Sequence, residues 1–550
     1  MKNGFRFNSC FATWAVVLLL LSGAAGAQDQ TQIQVDTAAK PVEPAGLDIR
    51  ENAVLLSLDE AVEVALRQNL GLAIQRYTRN RARLGVDQTL GIYDLLASGT
   101  AYTEELSSPV ISTFEASESN LQRFNFDVDQ LLPLGGTVGV GVSSRRSESN
   151  SPFARVNPGF SAGLEFSFNQ PLLRDFGRLA TERGLLVALN RSQASRDEFE
   201  RQLVTIVQDV IDAYWSLVGA RQQLIVAQES LSLAGELHDR NKIQVDVGTM
   251  APLELVQSEA AIAEREEGII TAQAAVGDGE DALRRLLNLP AGELWETEIR
   301  PVTDSAIQHT PIDVEAAIRT AFEERPELHT QQLDIEQARI ERDFAVNQER
   351  PTLDLDLTYG YSGVGGDVII RDEDTGQIID TIPGGYSDAL DQVTGLDFRG
   401  WTAQLTFGYP LQNRGARAAR AIAEIDLERA ETAFEDAQKG IITEVRQAAR
   451  RVETAAKQID AARASKVFQE RNLDAERKRY ENGMSTSFQI TQIQEDLTEA
   501  RSREVNAVVN YRTALADYQR VIGRLLEEEG ISIADEEAQL NRWQYSLRGR

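Results

Sequence analysis

The chain has 550 residues, with 85 acidic against 56 basic side chains and a formal net charge of −29. That balance argues against nucleic acid and anionic surfaces as partners, although acidity also serves simply to keep long helices soluble. The single cysteine, Cys10, excludes a disulfide framework, and nothing beyond it can use thiol catalysis or a Cys-based metal site.

Residues 1–27 read as a secretory signal peptide. Lys2 and Arg6 give a positive start, Phe11 to Leu21 an apolar run, and Ala25-Gly26-Ala27 a small-residue cleavage site. The run is short for a membrane span, so cleavage is preferred over an uncleaved anchor. Cleavage removes Lys2, Arg6 and Cys10, taking the charge to −31 and leaving a thiol-free chain suited to an oxidising compartment. No later stretch approaches 18 consecutive apolar residues. A mature chain that crosses a membrane must therefore do so as a closed β-barrel.

Residues 28–54, rich in Gln, Asp, Thr and Pro, read as a flexible N-terminal segment. A first repeat is predicted over 55–290. Ser57 with Glu60 resembles a capping box opening a pair of short helices. The period then shortens to 2, and strands are predicted near 96–105, 121–131, 137–146 and 160–170. Phe124, Phe126 and Val128 alternate with Asn125, Asp127 and Asp129; Leu164, Phe166 and Phe168 alternate with Glu165, Ser167 and Asn169. One apolar and one polar face suit a water-filled barrel, but a soluble β-sandwich gives the same pattern. Long helices follow over 178–244 and 252–289. Leu203, Val207, Val210, Tyr214 and Leu217 step by 4,3,4,3, the rhythm of supercoiled packing. The chain reverses at Val247-Gly248-Thr249-Met250, with Pro252 opening the return. Gly277 and Gly279 predict a kink or loosening in that returning helix.

Residues 291–311, bracketed by Pro290, Pro301 and Pro311, read as a linker to a second repeat over 312–527. Leu58-Asp59-Glu60-Ala61-Val62 returns as Val314-Glu315-Ala316-Ala317-Ile318, and Phe168-Asn169-Gln170-Pro171-Leu172 as Phe407-Gly408-Tyr409-Pro410-Leu411. Strands are predicted within about 353–409 and long helices over 416–480 and 486–527, reversing at Glu481 to Ser485. Residues 528–550 read as a tail. Long polar segments at 106–120, 147–159 and 363–399 fall at one end of the strands, and the tight turn Leu132 to Gly136 at the other.

Strand, Pro-Leu, very long Ala-rich helix, glycine tip and returning helix, all duplicated and exported, resemble the TolC-like outer-membrane efflux proteins. The likeness covers about residues 55–527. Phe168 to Gly177 looks like a strand-to-helix junction of one branch, and Arg479 to Phe488 like its helical tip. The resemblance implies an α+β membrane protein: a trimeric β-barrel continuous with a long antiparallel coiled-coil α-helical tunnel. Twelve strands are the commonest arrangement. Four runs in the first half allow eighteen, unless 121–146 forms a hairpin outside the wall; membrane-like length and a lipid-compatible face favour the extra barrel pair.

The implied role is a passive outer-membrane conduit of a tripartite efflux or type I secretion system. Its partners would be two further copies, outer-membrane lipid, a periplasmic membrane-fusion adaptor and an inner-membrane pump of RND or ABC type. Adaptor docking falls by resemblance on Val247, Gly248, Thr249, Met250, Gly483, Met484 and Ser485, whose glycines also serve simply to reverse the chain. The tunnel constriction of relatives falls on Gln489 and Gln492 in place of acids, with Tyr480, Glu254 as partner acid and Ser485 where an arginine stands. Two amides would weaken electrostatic selection; Glu495 and Asp496 stand nearby, and the amides also suit an ordinary helix surface. Nothing points to an enzyme, cofactor or metal: His238, His309 and His329 are scattered, and no Gly-rich nucleotide loop follows a strand. The competing reading is a periplasmic coiled-coil tether without a pore, which leaves the apolar strand faces unexplained.

Overall fold

The structure is a computed structural model that describes residues 48–50, 53–109, 115–151, 153–302, 311–372 and 377–531. The signal segment 1–27, His309 and most of the C-terminal tail lie outside these residues.

Strands β1 (Asp48–Arg50) and β2 (Ala53–Leu56) precede helices α1 (Leu58–Gln68) and α2 (Leu70–Leu90). The capping box is present: Ser57 accepts from the Glu60 backbone while the Glu60 carboxylate takes the Ser57 N–H. Four strands follow: β3 (Leu96–Ser107), β4 (Glu118–Leu131), β5 (Thr137–Ser149) and β6 (Val156–Pro171). Helix α3 (Arg178–Asp246) then runs for 69 residues, about 100 Å at the rise of an α-helix, and α4 (Pro252–Leu287) returns beside it. Strand β7 (Glu298–Pro301) leads to the second half: α5 (Val314–Glu324), α6 (Pro326–Gln348), β8 (Thr352–Arg371), β9 (Ile378–Ile382), α7 (Tyr386–Thr394), β10 (Arg399–Gly408), α8 (Arg414–Glu481) and α9 (Ser487–Val521).

Two sheets form. β2 pairs with β1 and, in parallel, with β7, tying the start of the first half to the linker that follows it. Parts of the stretches read as a flexible lead-in and a linker therefore carry sheet. The reason is apolar burial: Leu56 and Ile299 join the main core with Tyr214 and Leu217, and Ala53 and Val54 are buried as well. The second sheet has the order β10-β8-β6-β5-β4-β3, with every neighbouring pair antiparallel and β9 attached to the far end of β8. β4 and β5 are interior members of this sheet, with continuous register on both sides, and do not form a separate hairpin.

One expectation fails. The segment 363–399 is not one polar loop. β8 continues to Arg371 on the apolar run Val368-Ile369-Ile370, and α7 packs Ala389 and Val393 onto Ala162, Leu164 and Tyr361. Gly363 permits that approach, since a Cβ there would sit 1.9 Å from the Ala389 carbonyl oxygen. Helix α4 continues through Gly277 and Gly279, and Gly279 brings the α3 backbone close, with the Leu217 side chain 3.4 Å from the position of a Cβ.

α3 holds one 18-residue stretch apolar enough to cross a membrane, but 56% of it is buried within the protein. Leu203, Val207, Val210, Tyr214 and Leu217 form the spine of the largest core cluster, which accounts for that apolarity.

Candidate functional site

Register divides the large sheet into two chemically distinct faces. Directly paired residues share a face, so Ala97, Val128, Val140, Phe166, Tyr359 and Trp401 form one row across all six main strands. The rows below add Phe168, Leu357 and Ala403, and then Leu355 with Leu405. This face is apolar and open: Val140 is 40% exposed, Phe166 44% and Trp401 75%. An uncovered apolar surface of this extent does not persist in water. Tyr359, Tyr361 and Trp401 lie toward one margin, Phe407 and Tyr409 toward the other, as in the aromatic girdles of a membrane barrel.

The opposite face is polar. It carries Asn125, Asp127 and Asp129 from β4, Ser143 and Arg145 from β5, Glu165, Ser167 and Asn169 from β6, and Asp354, Asp356 and Thr358 from β8. Gly139, Gly141, Gly163 and Gly360 lie among them. Asn169 Nδ2 donates to Asp356 Oδ1 across the β6–β8 pair. Polar on one side and apolar on the other, the sheet is suited to separate water from lipid.

Both flanks are open. β3 and β10 each have one unpaired edge, and the nine residues from Arg399 to Phe407 are exposed along β10. The helical layer ends on the same flanks. Near the sheet its order is α2-α3-α6-α8; toward the tips it is α4-α3-α9-α8. α2 leads into β3, and β10 leads into α8. Each flank also shows apolar residues at helical spacing: Leu70, Ile74 and Tyr77 on α2, Leu253 and Val256 on α4, Ile422, Ile425 and Phe468 on α8.

At the far end of the long helices lie the two reversals. Gly248 and Gly483 adopt φ of 77° and 70°, a left-handed conformation that glycine takes without strain. Val247 (67% exposed) and Met484 (63%) project from them, while Met250 folds back onto Leu237, Tyr480 and Ile490. Thr249 Oγ1 donates to the Gln244 carbonyl.

The residues that the resemblance places at a constriction divide into different local tasks. Tyr480 is buried, and its hydroxyl donates 2.6 Å to Asn241 Oδ1 on α3. Burial pushes the Tyr480 phenol up, with nearby Glu254 adding to the shift. Glu254 itself accepts from Ser487, not Tyr480. Ser485 bonds to Glu476 and Gln489. Gln489 completes the capping box of α9 with Thr486, and Gln492 faces Asp496 on the exposed helix surface. Asn241, wholly buried at the centre of this cluster, was missed in the sequence. It sits in an ordinary polar run with no motif to mark it.

Ion pairs join the two reversals within the protomer: Arg240 to Glu481 at 2.9 Å and Arg477 to Glu236 at 3.5 Å. His238 Nδ1 lies 3.0 Å from Ser258 Oγ, and His329 Nδ1 2.7 Å from Asp197 Oδ2, so each is held in its own helix contact.

A family model described as outer membrane efflux protein matches residues 128–289 and 317–524. No curated protein matches the chain in sequence. Among solved structures, the chain is similar to the CmeC outer membrane channel of Campylobacter jejuni, with a TM-score of 0.63 and 16% identity over 90% of this chain and 89% of that one. It is similar to the outer membrane protein VceC of Vibrio cholerae, with a TM-score of 0.60 and 14% identity over 85% and 96%. The open-state MtrE outer membrane channel of Neisseria gonorrhoeae gives 0.57 and 16% over 85% and 89%. At these identities the three structures speak for the fold.

Proposed function

Because this chain belongs to the outer membrane efflux protein family, an outer-membrane group whose helices stand in the periplasm, we propose that three copies assemble into one passive export conduit. The observation that carries the reading is the pair of open flanks. β10 descends and β3 ascends, so β10 of one copy can pair antiparallel with β3 of the next, while α8 meets α2 and α4 of the same neighbour. A strand edge left open in lipid would strand backbone groups at several kcal/mol each. Ring closure removes every edge at once. Three copies of six strands give an eighteen-strand barrel with the apolar rows outward and the Asp, Asn, Ser and Gly rows lining water.

In this reading the tips carry the periplasmic adaptor, which links the conduit to an inner-membrane pump. Val247, Gly248, Thr249, Met250, Gly483, Met484 and Ser485 form the docking surface. Glu254, Tyr480, Gln489 and Gln492 lie at the narrow end of the tunnel. The family consists of channels, and the described residues hold no group of His, Cys, Asp and Glu placed to bind a metal. A poreless tether is disfavoured by the two-faced sheet, which has no task in a tether.

Purified protein reconstituted in planar bilayers tests the conduit: unitary conductance from a heat-sensitive trimer is the expected result. A stable monomer without conductance would overturn it. Gly483→Asp is expected to abolish adaptor crosslinking while leaving the trimer intact; unchanged crosslinking would remove the docking assignment alone.

A further inference from the structure

The insertion between β8 and β10 has its own seat on the sheet. α7 packs Ala389 and Val393 against Ala162, Leu164 and Tyr361. Leu164 alternates in phase with Phe166 and Phe168, and Tyr361 with Leu357 and Tyr359, so the seat lies on the apolar face. In the closed ring proposed above, that face is the outside of the wall. β6 and β8 are interior strands, which sets the seat back from the flanks where another copy would join.

The contact is made at backbone distance. A Cβ at Gly363 would collide with the Ala389 carbonyl oxygen, and one at Gly365 with that of Gly385. α7 therefore runs down β8, from the level of Gly365 toward Tyr361. The Tyr386 ring meets Phe160 of β6 edge-on, with 6.4 Å between centroids. Along β8, the pairing with β10 ends at Tyr361 and the pairing with β9 begins at Val368. In that gap Gln392 takes the place of a strand. Its amide donates to the Val364 carbonyl at 3.0 Å, and its oxygen accepts from the Val364 N–H at 3.1 Å.

Height follows from the strand. On the apolar face the run Leu353, Leu355, Leu357, Tyr359 and Tyr361 is centred on Leu357. Gly363 stands six positions further, about 15 Å up the barrel axis at about 3.3 Å per residue and about 40° of tilt. The apolar band of such barrels is about 25 Å tall, so its upper border falls about 12 Å above the centre. α7 straddles that border. Ser387, Asp388, Asp391 and Thr394 are exposed on it, and so are Leu390 and, just past its lower end, Leu396. A two-sided helix at this depth meets headgroups with its polar residues and acyl chains with its leucines.

We propose that α7 is an interfacial helix whose partner is the lipid of the outer leaflet, with Leu390 and Leu396 at the acyl boundary, and that it sets the depth of the barrel. The inference deepens the conduit reading and rests on it.

Single spin labels read that depth, and Cys10 is the chain's one native cysteine. In the full chain carrying Cys10→Ser, Leu390→Cys, Leu357→Cys and Thr358→Cys are each given a nitroxide. Trimers are reconstituted in vesicles of phosphatidylethanolamine and phosphatidylglycerol. Relaxation by oxygen, which concentrates among acyl chains, is compared with relaxation by a water-soluble nickel chelate present on both sides. The oxygen-to-nickel ratio at Leu390 is expected at least about threefold above that at Thr358, which faces water, and below that at mid-height Leu357. A ratio equal to that at Thr358 overturns the inference, because α7 would then stand in water. A ratio as high as that at Leu357 overturns it too, because the helix would then lie below the boundary. If the Leu390 variant does not assemble, Leu396→Cys provides the second probe. Equal ratios at Leu357 and Thr358 would bring down the conduit reading itself, and this inference with it.

Discussion

Tyr480 and Asn241 join the last turns of two helices nearly 240 positions apart in the chain, through a buried 2.6 Å hydrogen bond. Gln244 Oε1 lies 3.4 Å from the same hydroxyl, and Leu237 and Ile490 close over the ring. Tyr480→Phe removes the hydroxyl that donates to Asn241 Oδ1 and costs about 1–2 kcal/mol for an orphaned buried acceptor. The trimer is expected to persist, because the flanks are untouched, while the tips loosen. Single-channel recording checks it: the variant should dwell longer in high-conductance states. Indistinguishable records would mean the tyrosine only packs.

The two-faced sheet yields a paired substitution. Leu357 sits mid-height on the apolar face between Phe168 and Ala403, and Thr358, the next residue, on the polar face between Ser167 and Thr402. An arginine at the bilayer midplane costs about 2–4 kcal/mol per copy, whereas one facing water costs little. Leu357→Arg is expected to abolish recovery of trimers from the outer membrane, and Thr358→Arg to leave recovery near the parent level. Equal loss in both would reverse the assignment of faces.

Much of this was legible in the sequence because it depends on period. The 4,3,4,3 spacing from Leu203 to Leu217 and the alternation from Phe124 to Val128 each follow from a face being buried or exposed. The glycines at 248 and 483 announced reversals for the same local reason. What stayed hidden depends on contacts distant in the chain. Nothing near Ala53 or Ile299 shows that they share a sheet, and Ala389 belongs to a helix whose docking depends on Gly363. Gln489 reads as a constriction candidate by resemblance, and its side chain also closes a helix cap with Thr486, a local contact that the resemblance does not show.

A buried ion network at the level of the small sheet gives a stability prediction. Glu280 accepts from Arg221 and Arg284, both at 2.8 Å, and its carboxylate also takes the Ile299 N–H. Glu280 and Arg284 are 8% and 5% exposed, so their charges depend on each other and not on water. Glu280→Ala leaves Arg221 with Glu298 alone and Arg284 with Asp281 and the Thr297 carbonyl, and orphans the Ile299 N–H; it is expected to cost about 1–3 kcal/mol. Thermal unfolding in detergent checks it, with the midpoint several degrees below the parent. Glu298, half-buried at the edge of this network, is held below the usual carboxylate range by hydrogen bonds from Arg221 and then Arg300. Its contribution is present above the ordinary Glu pKa and disappears as pH falls through the depressed value.

Glu200 behaves in the opposite sense. Burial against the α3–α6 contact pushes its carboxyl up, Arg196 partly offsets this, and Asp197, Glu324 and Glu327 push it further. A carboxyl whose folded pKa exceeds its unfolded one binds its proton more readily in the native state, so stability falls as pH rises through that interval. Glu200→Gln keeps the shape and removes the charge. At pH 7.5 the variant is expected to unfold at a slightly higher temperature than the parent, by about 1–3 °C, and to lose the gain the parent shows between pH 7 and pH 5. Melting curves at those two pH values decide it. A variant that melts lower at pH 7.5 would show that the Arg196 contact outweighs the cost of burying the charge.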